Sequence, residues 1–303
     1  MALDVVAGTI AGVAGITACQ PMDTVKVRLQ TQIKSAAATY KGPIHCARSI
    51  MQLEGFRAFY KGMVAPIVSN APINAIVFGT ERTIMRQLRR NNQWLGLDPV
   101  LQHMVAGSTA GLLQSFIASP AELIKVRLQV ARGHSSPLYK GNMECAQYLW
   151  RTGGLRGLYR GFGITALRDT PAFGVYFWTY DQCKNWFVRR EALRRNVAPS
   201  QVPMLPSWML MMSGGIAGTM SWALLHPVDV VKSCVQALPD NLPEHERTVS
   251  AVARAGFKRE GWRFFFRGYA ATMTRAFPNS AVTFLVYEWI VHHTTTLMGT
   301  YYV

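Results

Sequence analysis

Residues Val5 to Met22 carry no charge, and Gly8, Gly12 and Gly15 lie at helical spacing within that run. The arrangement returns with Gly107 and Gly111 before Pro120, and with Gly214 and Gly218 before Pro227. Apolar runs of this length with small residues four apart read as membrane helices that approach one another closely. Each run ends in a proline, an acid two residues on and a base five on: Pro21, Asp23, Lys26; Pro120, Glu122, Lys125; Pro227, Asp229, Lys232. A glutamine follows nine residues after each proline, at Gln30, Gln129 and Gln236. The three prolines stand 99 and then 107 residues apart, and two further sets keep both offsets: Pro72, Pro171, Pro278 and Gly55, Gly154, Gly261. Three landmarks sharing two spacings define a tandem triplicate, with units over 1–92, 98–190 and 204–295.

Within each unit the first helix is predicted to continue through its proline and to bend there, because the ring removes a hydrogen bond and crowds the preceding turn. About 30 residues of helix span roughly 45 Å, more than the hydrocarbon core of about 30 Å, so these helices are predicted to be long and tilted. A polar connection follows, then a short amphipathic helix ending near Glu54-Gly55, Gly153-Gly154 or Glu260-Gly261. Next comes an aromatic-base-glycine element, Tyr60-Lys61-Gly62, Tyr159-Arg160-Gly161 or Phe266-Arg267-Gly268, and then a second span. Gly62 to Thr80 is free of charge, whereas the equivalent runs are interrupted by Arg168-Asp169 and by Arg275. Polar linkers are expected over Arg86–Pro99 and Arg189–Pro206. Two spans per unit return every unit to one face, which gives six spans, an all-α membrane protein and both termini on the same side, and excludes inverted repeats.

Charged residues are 16% of the chain, below the quarter or so usual for soluble proteins, while hydrophobic residues are 50%. The net charge of +16 would suit a nucleic-acid binder if it formed one patch. Instead the bases recur after the apolar runs, as Lys26, Arg28, Lys125, Arg127, Lys61, Arg160 and Arg267, which marks one membrane face and anionic lipid. The five cysteines have no paired spacing, and His103, His226 and His292-His293 have no metal-ligand spacing. No nucleophile triad or phosphate loop is present, so neither an enzyme nor a cofactor or metal site is expected. The opening Met1-Ala2-Leu3-Asp4 has no basic or Arg-rich leader, so targeting information is expected to be internal.

Arg168, Asp169 and Arg275 are the candidate substrate residues, since an ionisable side chain inside a membrane span is functional by default. Arg168 and Arg275 stand three residues before Pro171 and Pro278, hence at one depth; the equivalents in the first unit are Ser69 and Asn70. An internal Arg168–Asp169 pair is the structural alternative, while Arg275 has no adjacent acid. Asp169 suits an ammonium, and Arg275, with or without Arg168, suits a carboxylate. The set fits a zwitterion with an extra cation, such as arginine, lysine or ornithine. It also fits carnitine, whose quaternary ammonium would favour Tyr176, Phe173 or Trp222, although such aromatics more often pack. Ser69 and Asn74 make the first unit's wall polar, which favours amino acids. His226, beside Pro227, reads as a capping or packing residue.

The triplicated proline-acid-base motif, with its downstream acid-glycine and aromatic-base-glycine, resembles the mitochondrial carrier family (the solute carrier family 25 type) from Leu3 to about His293. Departures are Cys234 for the second base in the third unit, Gly153 for the acid in the second, and the absence from the third unit of an element matching Tyr40-Lys41-Gly42 and Tyr139-Lys140-Gly141. The resemblance implies a six-helix barrel of threefold pseudosymmetry in the inner mitochondrial membrane, monomeric, with structural cardiolipin and a cavity open alternately to either side. The last departure leaves the third cardiolipin-type site without its element. The termini would face the intermembrane space and the proline motifs the matrix. It also implies a matrix gate pairing Asp23 with Lys125, Glu122 with Lys232 and Asp229 with Lys26, which Gln30, Gln129 and Gln236 are placed to bridge. At the opposite gate the family pattern falls on Arg82/Met85, Asp181/Lys184 and Glu288/Val291, where no cyclic pairing survives; weak closure there would permit uniport. Leu167-Arg168-Asp169-Thr170-Pro171, Tyr176-Phe177 and Arg275-Ala276-Phe277-Pro278 resemble the carriers for basic amino acids and for carnitine and acylcarnitine, and the opening residues with Pro227 to Ser233 lean toward the former. A non-transporting scaffold of the same fold would not need Arg168, Asp169 and Arg275, and a soluble basic module would not have charge-free spans.

Overall fold

The structure is a computed structural model that describes residues 2–32, 40–96, 98–131, 141–202, 205–239 and 242–297. Tyr139 and Lys140 of the second Tyr-Lys-Gly element lie outside these residues. Among the described residues the chain is helical and has no strand. In order the helices are α1 (Ala2–Thr31), α2 (Pro43–Glu54), α3 (Val64–Leu95), α4 (Pro99–Val130), α5 (Asn142–Leu158), α6 (Phe162–Arg195), α7 (Ser207–Ala237), α8 (Val249–Glu260) and α9 (Tyr269–Leu297). Each of the six long helices runs through a landmark proline: Pro21, Pro72, Pro120, Pro171, Pro227 and Pro278. Two stretches, Phe56–Arg90 and Trp208–Ala237, with mean hydropathies of 1.4 and 1.2, are long and apolar enough by themselves to cross a membrane.

The short helices show why the triplicate folds as it does. Cys46 and Ile50, one turn apart on α2, pack with Val25 and Leu29 of α1 and with Phe59. Their equivalents Cys145 and Leu149 on α5 pack with Leu123 and Leu128 of α4. On α8 the second position is Gly256, and the ring of Phe264 fills the space, lying 2.4 Å from where a Cβ would stand. The glycines that follow these helices turn the chain with positive φ: 77° at Gly55, 55° at Gly154 and 62° at Gly261. A side chain resists that conformation, which is why glycine marks all three turns. The second of these helices breaks at Gly154 as expected, and a further short helical stretch, counted with α5, runs from there to Leu158.

The first expected linker is largely helical, and the second begins as helix. α3 continues to Leu95 and α6 to Arg195, because polar residues without helix breakers extend a helix as readily as apolar ones. Residues 86–95 contain no proline or glycine before Gly96, and the end of α6 is rich in Arg, Ala, Leu and Glu, which favour helix. An Arg195–Glu191 pair at 2.6 Å, four residues apart, supports that last turn, and Asn196 ends it with φ of 55°.

Two compact units arise from this chain. The first comprises Met1–Ile73, Phe116–Thr165 and His226–Val303, and contains the three proline motifs and the three short helices. The second comprises Asn74–Ser115 and Ala166–Leu225. Small residues allow close approach within each: Asn70 packs on Gly12 and Asn279 on Gly15 in the first, and Gly107 and Gly111 meet the backbone of Phe173 and Asp169 in the second. Gly8 and Gly218 have no neighbour within 4 Å of a Cβ position among the described residues.

Candidate functional site

The first unit brings the three proline motifs together. Positions two and five after each proline lie three apart on the helix, so the acid and base project from neighbouring parts of its surface. Lys125 Nζ is 2.6 Å from Asp23 Oδ2, Lys26 Nζ is 2.7 Å from Asp229 Oδ2, and Lys232 pairs with Glu122. Each pair joins two of α1, α4 and α7, and the three close a cycle. The Lys26–Asp229 pair is the driest, with side-chain exposures of 8% and 5%, whereas Glu122 is 31% exposed.

Backbone packing follows the same cycle. A Cβ on Gly62 would stand 2.9 Å from the Lys125 carbonyl of α4, Gly161 faces Gln236 of α7 at 3.3 Å, and Gly268 faces Gln30 of α1 at 3.3 Å. Arg28 Nε donates to the Gln129 carbonyl at 2.9 Å. Cys234, the departure in the third repeat, makes the corresponding contact, its Sγ 3.3 Å from the Gln30 carbonyl.

Arg275 joins the ring in this unit. It has no acid beside it in the sequence, and it places Nη1 2.6 Å from Asp23 Oδ1. The two residues are distant in sequence, and α1 packs along α9, so no local spacing could reveal the pair. Asp23 therefore holds both Lys125 and Arg275. One of the three glutamines reaches an acid of the ring as expected. Gln30 Nε2 reaches Asp229 Oδ2 at 3.2 Å, but Gln129 Nε2 donates to Thr24 Oγ1 at 3.1 Å, and buried Gln236 Nε2 meets no acceptor among the described residues. Thr24 supplies a hydroxyl where the equivalent residues, Leu123 and Val230, are apolar.

Around this ring, Glu54 accepts from Arg28 Nη1 at 2.5 Å and Nη2 at 3.0 Å, and from Lys61 Nζ at 2.9 Å. Burial alone would raise the Glu54 carboxyl, but the hydrogen bonds and charges of Arg28 and Lys61 outweigh it and bring it down to about 2. Glu260 receives Arg267 in the same way, with Nε at 2.7 Å; Gly153 offers no carboxylate at this position in the second repeat. His226 is buried with Nε2 3.1 Å from the Arg267 carbonyl, a packing role as expected, and Gln20 Nε2 makes the matching bond to Lys61 at 3.1 Å. Ser69, also here, bonds the Pro66 carbonyl at 3.3 Å.

The second unit holds Arg168 and Asp169. They pair with each other: Arg168 Nε lies 2.5 Å from Asp169 Oδ1. Asp169 is 2% exposed. Its other oxygen accepts from Gln114 Nε2 at 2.6 Å, with Ser115 Oγ at 3.4 Å. The Arg168 guanidinium also lies over Trp222, 5.5 Å from the ring centroid. Gln114 and Ser115 were missed in the sequence, although a signal exists: Gln114 interrupts an apolar run where the other repeats have Gly15 and Ser221. Asn74 is exposed, and Tyr176 packs edge-on against Phe177. Asp181 turns to Asn185 Nδ2 at 2.8 Å and His103 Nε2 at 3.6 Å, while Lys184 is exposed. The side chain of Glu288 lies outside the described residues. Among the described residues no group of His, Cys, Asp or Glu is placed to hold a metal ion.

The family profile described as Mitochondrial carrier protein matches residues 1–92, 97–191 and 204–297. A Rattus norvegicus protein named mitochondrial basic amino acids transporter is 41% identical over 287 residues, covering 94% of this chain and 87% of that protein. The human protein of the same name is 41% identical over 289 residues, covering 94% and 88%. Human solute carrier family 25 member 45 is 37% identical over 296 residues, covering 94% and 96%. Three matched repeats, a cycle of ion pairs between their proline motifs and relatives of this similarity along the whole length lead to one conclusion: the chain belongs to the mitochondrial carrier family.

Proposed function

We propose that this chain carries basic amino acids such as arginine, lysine or ornithine across the inner mitochondrial membrane by alternating access. The observation that carries the transport reading is the cycle of three acid–base pairs in the first unit. In this reading the six long helices form a threefold pseudosymmetric barrel, the proline motifs face the matrix and the termini face the intermembrane space. Cardiolipin is its structural lipid, in keeping with the bases that flank the spans, and the chain works as a monomer. The closed cycle is then the matrix gate in its latched state.

A latch must open. An exposed pair contributes at most about 1 kcal/mol, and a buried pair's larger attraction is offset by desolvation. Three such pairs give a closure that differential substrate binding is able to shift, about 1.4 kcal/mol for each tenfold change in preference between states. The substrate class is supported by the names of the relatives and by a buried carboxylate, Asp169, held against an arginine. Purified carrier in liposomes is expected to take up labelled arginine and lysine, with Asp169→Ala abolishing uptake. Uptake of carnitine in their place, or of none of these, would overturn the assignment.

A further inference from the structure

We infer that Gln114 is a positioning residue that makes the carrier prefer a cationic side chain, by fixing one oxygen of Asp169 and leaving the other exchangeable. The inference rests on the reading of the chain as an amino-acid carrier. The two halves of the Asp169 carboxylate are held by unlike means. Oδ2 is bound by Gln114 Nε2 at 2.6 Å, and the two helices involved are locked backbone to backbone. A Cβ on Gly111 would stand 2.5 Å from the Asp169 carbonyl, and one on Gly107 2.6 Å from the Phe173 carbonyl. Separating Gln114 from Oδ2 therefore requires α4 to part from α6, or a buried amide and a buried carboxylate to lose each other, and both are costly. Oδ1 is bound by Arg168, a long side chain whose guanidinium also rests on the Trp222 ring, a face that attracts it independently of Asp169.

An incoming ammonium or guanidinium takes Oδ1 in exchange for Arg168. The exchange replaces one cation by another, so the buried carboxylate stays paired throughout, which a neutral side chain cannot achieve. Arg168, released from Oδ1 and kept on the Trp222 face, presents its fork to the substrate carboxylate. The repeats support a dedicated pair. Gln114 corresponds to Gly15 and Ser221, and Asp169 to Asn70 and Ala276, so the acid and the amide that holds it occur together in the second repeat alone.

The test compares uptake of arginine with uptake of citrulline, in which a neutral urea replaces the guanidinium, by purified carrier in liposomes. The unaltered carrier is expected to favour arginine. Gln114→Leu is expected to cut that preference by about tenfold, chiefly through KM for arginine, since a buried carboxylate oxygen left without its donor forfeits an interaction of about that size. Trp222→Leu is expected to raise KM for both substrates, and Trp222→Phe to restore it in part. If Gln114→Leu is not recovered folded, Gln114→Asn, whose amide falls one methylene short, is read by the same ratio. An unchanged arginine-to-citrulline ratio, or an equal fall in kcat for both, overturns the inference and leaves the carrier reading standing. Absence of arginine uptake by the unaltered protein overturns the carrier reading itself.

Discussion

In the first unit each acid of the proline motifs finds a base on a neighbouring repeat, and the contacts close a cycle through α1, α4 and α7. In the second, the acid at the corresponding family position, Asp181, turns to His103 and Asn185 while Lys184 stays exposed. The same triplicated chain thus builds a symmetric charge lattice in one unit and an asymmetric one in the other. Symmetry survives where three copies must meet one another, because each base has to satisfy the next repeat's acid. It lapses where the chain has specialised, and the specialised positions in the second unit are Gln114, Arg168 and Asp169. Even the ring departs from symmetry at Asp23, which holds Arg275 in addition to Lys125.

The sharpest way to break this contrast is Asp23→Asn. It leaves two cations without their carboxylate, and breaking a buried pair costs about 3–5 kcal/mol. Thermal unfolding in detergent is expected to show a larger loss for Asp23→Asn than for any other ring substitution, with uptake abolished. A loss no larger than that of Glu122→Gln would remove the distinction drawn at Asp23. Next in size is the Lys26–Asp229 pair, the driest of the three. Exchanging the two charges in a double variant is expected to recover about 1–3 kcal/mol relative to the sum of the single changes. Strict additivity would mean that the pair does not couple α1 to α7.

Glu54 gives a pH-dependent signature of the first unit. Its carboxyl lies at about 2 against an ordinary 4.5. A depressed value means that the carboxylate contributes fully above 4.5, and that its contribution is lost as pH falls through 2. Glu54→Gln is accordingly expected to unfold at lower temperature than the unaltered protein at about pH 7, and the gap is expected to close between about pH 4.5 and 2. Parallel curves across that window would show that Arg28 and Lys61 do not depend on it. Glu122→Gln, which removes a part-exposed acid but leaves buried Lys232 without its partner, is expected to cost about 1–3 kcal/mol. The smallest effect concerns the second unit. If the gate near Asp181 closes weakly, emptying liposomes of internal substrate is expected to slow arginine uptake by no more than about threefold, because the return of the empty carrier needs little help. An absolute requirement for internal substrate would mean that this end is latched by contacts other than the family pairs.

Much of this was written in the sequence. The shared offsets of the prolines, acids, bases and glycines determined three repeats, six long helices and three short ones. Helical geometry put each acid within three residues of a base, and the triplicate left few ways to pair them. The positive φ at Gly55, Gly154 and Gly261 is the physical reason that those landmarks are glycines. What the sequence could not decide was which side chain of one helix meets which of another when no repeat dictates it. Arg275 reaches Asp23 because α9 packs along α1, and Gln114 reaches Asp169 because Gly111 lets α4 touch the backbone of α6. Both are contacts made across helix interfaces, and a helix's own periodicity carries no record of its neighbour's register. The lengths of α3 and α6 escaped for a related reason: polar residues with strong helix propensity look like a linker in composition and behave like a helix in the backbone.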